Sequence, residues 1–242
     1  MDEIHRRRGV ARQKREKEAI PTVALVGYTN VGKTTLLNAL TGAGAVAQDQ
    51  VFTTLDPLAR RLVLPGGQPI LITDTVGFLH RLPHHLIEAF RATLEETTQS
   101  NLLLHLLDVS HPMLEEQASA VREVLIAIEA ENKPMITVLN KIDRADPAFV
   151  QSLRRRYPEA VCISALKGEG IPHLLDRILA ALSPLMQEAV IRIPEHEHRW
   201  EEKIYDQGQV LQRRMLEDVL ELQARVPHRL YGQLAKAGLL KR

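Results

Sequence analysis

Lys33 and Thr34 close a run, Gly27-Tyr28-Thr29-Asn30-Val31-Gly32-Lys33-Thr34, whose residue types and spacing suit one task, holding a phosphate chain. In the pattern G-x-x-x-x-G-K-T the glycines let the backbone wrap a phosphate closely. The lysine amine reaches the β/γ-phosphates, and the threonine hydroxyl can ligate Mg²⁺. Thr35 continues the same turn. Asp74-Thr75-Val76-Gly77 adds a carboxylate that can hold Mg²⁺ through water and a glycine N–H that can meet the γ-phosphate. Between the two, Phe52-Thr53-Thr54-Leu55-Asp56 offers two hydroxyls. Thr54 is preferred to Thr53 as the switch threonine that closes over Mg²⁺ when the γ-phosphate is present and releases after hydrolysis. Lys33, Thr54 and Gly77 form the catalytic set, and Thr34, Thr54 and Asp74 the magnesium set.

Asn140-Lys141-Ile142-Asp143 points to the base. The Asp143 carboxylate can accept two hydrogen bonds from the N1 and exocyclic amine of guanine, a pair that adenine does not offer. A buried acceptor left unpaired by the wrong base discriminates by roughly 10⁴–10⁵. The aliphatic stem of Lys141 can lie over the base plane. Ser164-Ala165-Leu166 completes the pocket, with backbone N–H groups near the base O6. Asn-Lys-x-Asp alone is common by chance; in register with the phosphate loop and Asp-x-x-Gly it specifies GTP and GDP as ligands.

These motifs need elements that aim them. Val23-Ala24-Leu25-Val26 reads as a buried parallel strand before the phosphate loop, and Thr34-Thr35-Leu36-Leu37-Asn38-Ala39-Leu40 as the helix after it. That helix directs backbone N–H groups and the positive end of its dipole at the phosphates. Strands are predicted near 21–26, 58–64, 69–73, 102–108, 135–140 and 160–164, and helices near 33–42, 85–98, 113–130, 147–156 and 171–182. Pro65-Gly66-Gly67 marks one hairpin. Pro112, Pro147 and Pro172 sit at helix starts, with Asp146 as an N-cap. The expected class is α/β: a three-layer αβα P-loop NTPase domain over residues 20–184, with a mostly parallel six-stranded sheet. Its ligand belongs at the C-terminal ends of the strands. Residues 185–242 change rhythm and predict a small α+β unit, with a strand at 189–194, a helix at 197–207, two short strands within 209–226 and a helix at 228–238. Trp200 is expected to anchor its packing, and His196 and His198 are read as solvated rather than as metal ligands.

The chain has 242 residues, 45% hydrophobic and 25% charged, with a net charge of +1. That composition suits a soluble globular protein with no global field for polyanions. The lone Cys162 excludes a disulfide framework and is expected in the core. No stretch is long and apolar enough to span a membrane, so a cytoplasmic protein is expected; its oligomeric state is left open, with a monomer favoured. Residues 1–19 carry Arg6-Arg7-Arg8, Arg12, Lys14, Arg15 and Lys17 and predict a solvated basic helical linker, the alternative being a basic arm that touches RNA phosphates. The residue after Gly77 is Phe78, whose ring cannot orient a water, so slow intrinsic hydrolysis raised by a partner is expected. His80, His84 and His85 lie nearby, but Pro83 breaks the spacing of a metal cluster.

With these motifs in order, the chain resembles the translation-factor class of P-loop GTPases. More narrowly it resembles the HflX family, through Gly27-Tyr28-Thr29-Asn30, Phe52 to Pro57, Asp74 to Phe78, and Leu82-Pro83-His84-x-Leu86-x-x-Ala89-Phe90-x-x-Thr93-Leu94-Glu95-Glu96. The resemblance implies a GTP-hydrolysing switch that associates with the large ribosomal subunit and its rRNA and is stimulated there. It implies a separate N-terminal domain ahead of the basic linker, of which this chain is expected to keep only the end. In related GTPases an asparagine at the position of Asn30 coordinates K⁺ beside the phosphates; a loop-stabilising role is the alternative. Two other functions compete. One is a ribosome-assembly or RNA-modification GTPase of the Obg or Era kind, and the other a guanine-nucleotide sensor that does not hydrolyse its ligand.

Overall fold

The computed structural model describes residues 20–42, 58–75 and 96–241. Thr53, Thr54, Val76, Gly77, Phe78, the three histidines that follow it, the basic segment 1–19 and most of the predicted helix 85–98 lie outside them. The chain divides into two compact units. Among described residues, one holds 22–42, 58–62, 71–75 and 96–181, and the other 20–21, 63–70 and 182–241.

Six strands form one sheet: β1 (Thr22–Gly27), β2 (Leu58–Val63), β3 (Pro69–Asp74), β4 (Leu102–Asp108), β5 (Met135–Asn140) and β6 (Val161–Cys162). Their order is β2-β3-β1-β4-β5-β6. β1 pairs in parallel with β3 and β4, β4 with β5, and β5 with β6. A turn closed by Leu64 N–H to Gln68 O (2.8 Å) returns β2 along β3, which supplies the hairpin that Pro65-Gly66-Gly67 predicts. The central strands are apolar on both faces, as a parallel sheet covered by helices requires. Every residue of β4 is buried, and β1 is buried from Val23 onward.

Helices α1 (Lys33–Thr41), α2 (Leu114–Ala127), α3 (Pro147–Arg156) and α4 (Ile171–Leu182) follow their strands. Val121, Val124 and Leu125 of α2 pack on Ala24, Val26 and Leu103, the residues one pleat face of β1 and β4 presents. Leu114, Ala118, Val150 and Leu153 close over Leu107, Val109 and Leu139. Asp146 caps α3, accepting from the Ala148 N–H at 2.6 Å, and Pro147 occupies the first helical position, as predicted. β6 is shorter than its predicted 160–164, because only Val161 and Cys162 find partners at the sheet edge. That edge position also leaves Cys162 half-buried rather than in the core, with its sulfur accepting from Arg154 Nε at 3.3 Å.

The other unit contains β7 (Met186–Pro194), α5 (His198–Gln207), β8 (Gln209–Leu216), β9 (Val219–Pro227) and α6 (His228–Lys236). The strands form an antiparallel sheet in the order β7-β9-β8. β7 begins at Met186, ahead of the predicted 189, because its ladder continues to Pro227 of β9. Leu220, Leu222, Ala224 and Val226 alternate inward and meet Ile191, Ile193, Ile204, Leu230 and Leu234. Trp200 packs half-buried on this core, with Arg199 and Lys203 5.7 and 5.3 Å from its ring centroid. Among the described residues no helix is long and apolar enough to cross a membrane, and no group of histidines, cysteines or carboxylates could hold a metal ion.

Candidate nucleotide-binding site

β1 ends at Gly27, β3 at Asp74, β4 at Asp108 and β5 at Asn140, so the motif residues converge on one end of the sheet. Glycine is required at two positions of the loop between β1 and α1. A Cβ at Gly27 would stand 2.7 Å from the Leu106 carbonyl oxygen of the neighbouring strand. Gly32 caps α1 with a left-handed φ of 96°, and a Cβ there would stand 2.5 Å from Asn140 Nδ2. Tyr28 turns its ring into the apolar cluster under α2, while Asn30, at φ 61°, is exposed at the loop tip. Thr29 and Thr35 are half-buried and Val31 is buried.

Lys33 is buried, and its ammonium donates to the carbonyls of Gly27 (3.2 Å) and Tyr28 (3.0 Å). Burial lowers its pKa to about 8 against the opposing pull of the Asp74 charge. The amine is therefore folded back into the loop between β1 and α1. Thr34 donates its hydroxyl to Asp74 Oδ2 at 2.6 Å, which brings two hard oxygen donors together at the mouth of the loop. Thr75 braces the same corner by donating to the Leu25 carbonyl at 2.5 Å. Thr54, Val76 and Gly77 complete these motifs in sequence and lie outside the described residues.

The base motif is tied into the phosphate loop. Asn140 is buried, donates from Nδ2 to Val31 O at 2.7 Å, and accepts from the Ala165 N–H at 3.0 Å. One side chain thus joins three segments: the phosphate loop, the end of β5 and the loop after β6. Lys141 takes a left-handed φ of 64°, rare for a residue with a side chain. Its ammonium returns to Asn30 O at 2.7 Å and to Asp108 Oδ2 at 2.7 Å. The Asp143 carboxyl is held below the usual range, first by a hydrogen bond from the Ser164 side chain and further by nearby Lys167 and Arg144. It is an ionised acceptor at neutral pH. The Ser164 N–H goes to the Glu169 carbonyl (3.0 Å), the Ala165 N–H to Asn140, and Leu166 is 71% exposed.

Sequence reasoning passed over Asp108. The available signal was a lone acid ending the run Leu102 to Leu107, apolar but for His105, beside the site, but only strand register reveals that it stands opposite Asn140.

A phosphate loop on a strand–turn–helix, a hydroxyl–carboxylate pair beside it and a guanine-type strap in the same pocket define the P-loop GTPase class. The family model described as 50S ribosome-binding GTPase matches residues 22–141, and that of the HflX C-terminal domain matches residues 150–236. The chain belongs to the HflX family of GTPases. GTPase HflX of Lacrimispora saccharolytica is 44% identical over 241 residues, 97% of this chain and 55% of that protein. The Escherichia coli protein of that name is 39% identical over 232 residues, 94% of this chain and 54% of its own. The chain therefore spans about half the length of the curated relatives it matches. Among solved structures, a Sulfolobus solfataricus GTP-binding protein in complex with GDP aligns with a TM-score of 0.54 and 29% identity, over 76% of this chain and 60% of that one. Aquifex aeolicus Era bound to GDP.AlF4- aligns with a TM-score of 0.54 and 28% identity, over 67% and 56%.

Proposed function

We propose that this chain binds and hydrolyses GTP as a molecular switch, and that it acts in association with the large ribosomal subunit, which stimulates a slow intrinsic rate. The observation that carries the reading is Asn140, which joins Val31 of the phosphate loop to Ala165 of the base pocket and makes one guanine-nucleotide site of separate motifs. In this reading residues 20–184 are the GTPase domain and 185–242 a small appended α+β domain.

Phosphoryl transfer needs positioning and charge stabilisation more than covalent chemistry. A bound γ-phosphate would compete with the Gly27 and Tyr28 carbonyls for Lys33 and favour its charged form. The Thr34 hydroxyl and Asp74 carboxylate fit Mg²⁺, a hard cation that takes oxygen donors and keeps several waters. Thr54 would join them when the triphosphate is present. The ion would neutralise charge on the β- and γ-phosphate oxygens. Gly77 offers its N–H to the γ-phosphate, and Asp143 with Lys141 reads and covers the base. Phe78 supplies no hydrogen bond to an attacking water, which is why the trigger is assigned to a partner. Asn30, exposed at the loop tip with its carbonyl engaged by Lys141, is assigned a K⁺ beside the phosphates.

Two measurements test the proposal. GTP turnover is measured with and without purified large ribosomal subunits, and the protein is pelleted with those subunits in the presence of a non-hydrolysable GTP analogue. A rate raised by the subunit together with co-pelleting is expected; an unchanged rate and no pelleting would remove the ribosome from the reading. Repeating the turnover in K⁺ and in Na⁺ at matched ionic strength tests Asn30, and equal rates would sink the cation role.

A further inference from the structure

We infer that Asp108 is a positioning residue for guanine-nucleotide binding, acting through Lys141; this rests on the guanine reading above. Asp108 closes β4 and is buried, opposite Asn140 in the β4–β5 register. Its two carboxylate oxygens are divided between two jobs. Oδ1 accepts from the Ser110 N–H at 2.9 Å and the Ser110 hydroxyl at 2.6 Å, which fixes the turn after the strand. Oδ2 meets the Lys141 ammonium at 2.7 Å. The same ammonium donates to Asn30 O at 2.7 Å, so a single cation pins the tip of the phosphate loop to the end of β4.

The side chains of Lys141 and Asp108 are 22% and 10% exposed, so the pair is shielded from solvent and its geometry is not an incidental surface contact. A lysine stem has large rotamer freedom, and a flexible stem makes a poor lid for a base. Anchoring its far end at two oxygens stretches the stem across the mouth of the pocket before any nucleotide arrives. The left-handed backbone at Lys141 turns the side chain back toward the loop, and Asp108 is the charge that keeps it there. Asp143 reads the edge of the base, whereas Asp108, through Lys141, would govern how firmly its face is covered. Those two roles predict different nucleotide selectivities, because inosine and guanosine share a face and differ in the exocyclic amine.

The test is equilibrium binding of a fluorescent GDP, with competition by IDP and ADP, to the whole chain and to Asp108→Asn, Lys141→Met, the double variant and Ser110→Ala. Asp108→Asn keeps the shape and the acceptor for Ser110 but removes the charge facing Lys141. Asp108→Asn and Lys141→Met are each expected to weaken GDP by about tenfold and IDP equally, leaving the GDP/IDP ratio unchanged. In the Lys141→Met background, Asp108→Asn should add less than about twofold, and Ser110→Ala alone should stay within about twofold. The assignment is overturned if Asp108→Asn costs as much without the lysine as with it, if it changes the GDP/IDP ratio, or if Ser110→Ala reproduces its loss. If Asp108→Asn does not fold, Asp108→Ser, which also removes the charge facing Lys141, takes its place in the same comparisons. Wild-type protein that binds ADP as well as GDP would instead overturn the guanine reading itself, and this assignment with it.

Discussion

At the ends of β1, β3, β4 and β5 the chain buries Lys33, Asp74, Asp108 and Asn140, whereas among the described residues the unit built on β7-β9-β8 buries only the uncharged amides Gln68, Gln207 and Gln209 of its polar groups. Two of its charged pairs, Arg192 with Glu221 and Arg225 with Glu188, lie across the outer face of the sheet. Burying a charge costs stability unless it is paired. The first unit bears that cost at one end of its sheet, where each buried polar group is held by the loop, strap or strand next to it. The second unit avoids the cost and invests in an apolar face. Mutations should therefore separate the two: ligand effects in the first, and stability effects without ligand effects in the second.

The largest effect should follow Asp143→Asn. Competition binding is expected to show GTP affinity falling on the order of 10⁴-fold while xanthine nucleotide gains; unchanged GTP affinity would remove Asp143 from base reading. Next comes Leu222→Ala, at a fully buried position of the second unit. Denaturant unfolding should show a loss of about 3–4 kcal/mol, with GDP affinity of the folded protein unchanged. A large change in affinity instead would break the contrast.

Two buried bases of the first unit give pH effects of the same sense in different windows, stability rising with pH by about 3 kcal/mol for each. The pKa of His105 is lowered to about 4 by burial and by the charge of Arg122. Its contribution is complete above the unfolded value near 6.5 and is lost as pH falls toward 4, so His105→Leu should flatten the acid limb of the stability curve. Lys33, lowered to about 8, makes the nucleotide-free protein gain stability as pH rises from about 8 toward 10.5, because the unfolded chain holds the extra proton there. Lys33→Met should remove that gain. The smallest effect belongs to Glu221→Gln. Arg192 and Lys241 hold this carboxyl below its usual range, but both partners are about half exposed and solvated, and thermal melting should not shift measurably.

The site was legible where the chemistry is local. The phosphate loop and Asn140 to Asp143 each compress their residues into one turn flanked by a strand, so spacing alone exposes them. The alternation of Leu220, Leu222, Ala224 and Val226 likewise announces a one-sided strand. What depended on distant pairing stayed hidden. Asp108 acquires its meaning only when β4 lies beside β5 and Lys141 turns back across the loop. Cys162 looks like a core residue in an apolar run, yet β6 is an edge strand, and no periodicity in the run reports an edge. β7 outran its prediction because Met186 to Glu188 are held by β9 rather than by any apolar pattern of their own.

The contact between Gly32 and Asn140 has an evolutionary consequence. Asn140 Nδ2 fills the place where a side chain at position 32 would begin, so the smallest inherited change in the phosphate loop becomes a lesion in the base strap. Each motif thus constrains the other's drift. A substitution at position 32 would therefore reach the base strap as well as the phosphates, although the two motifs stand far apart in the chain.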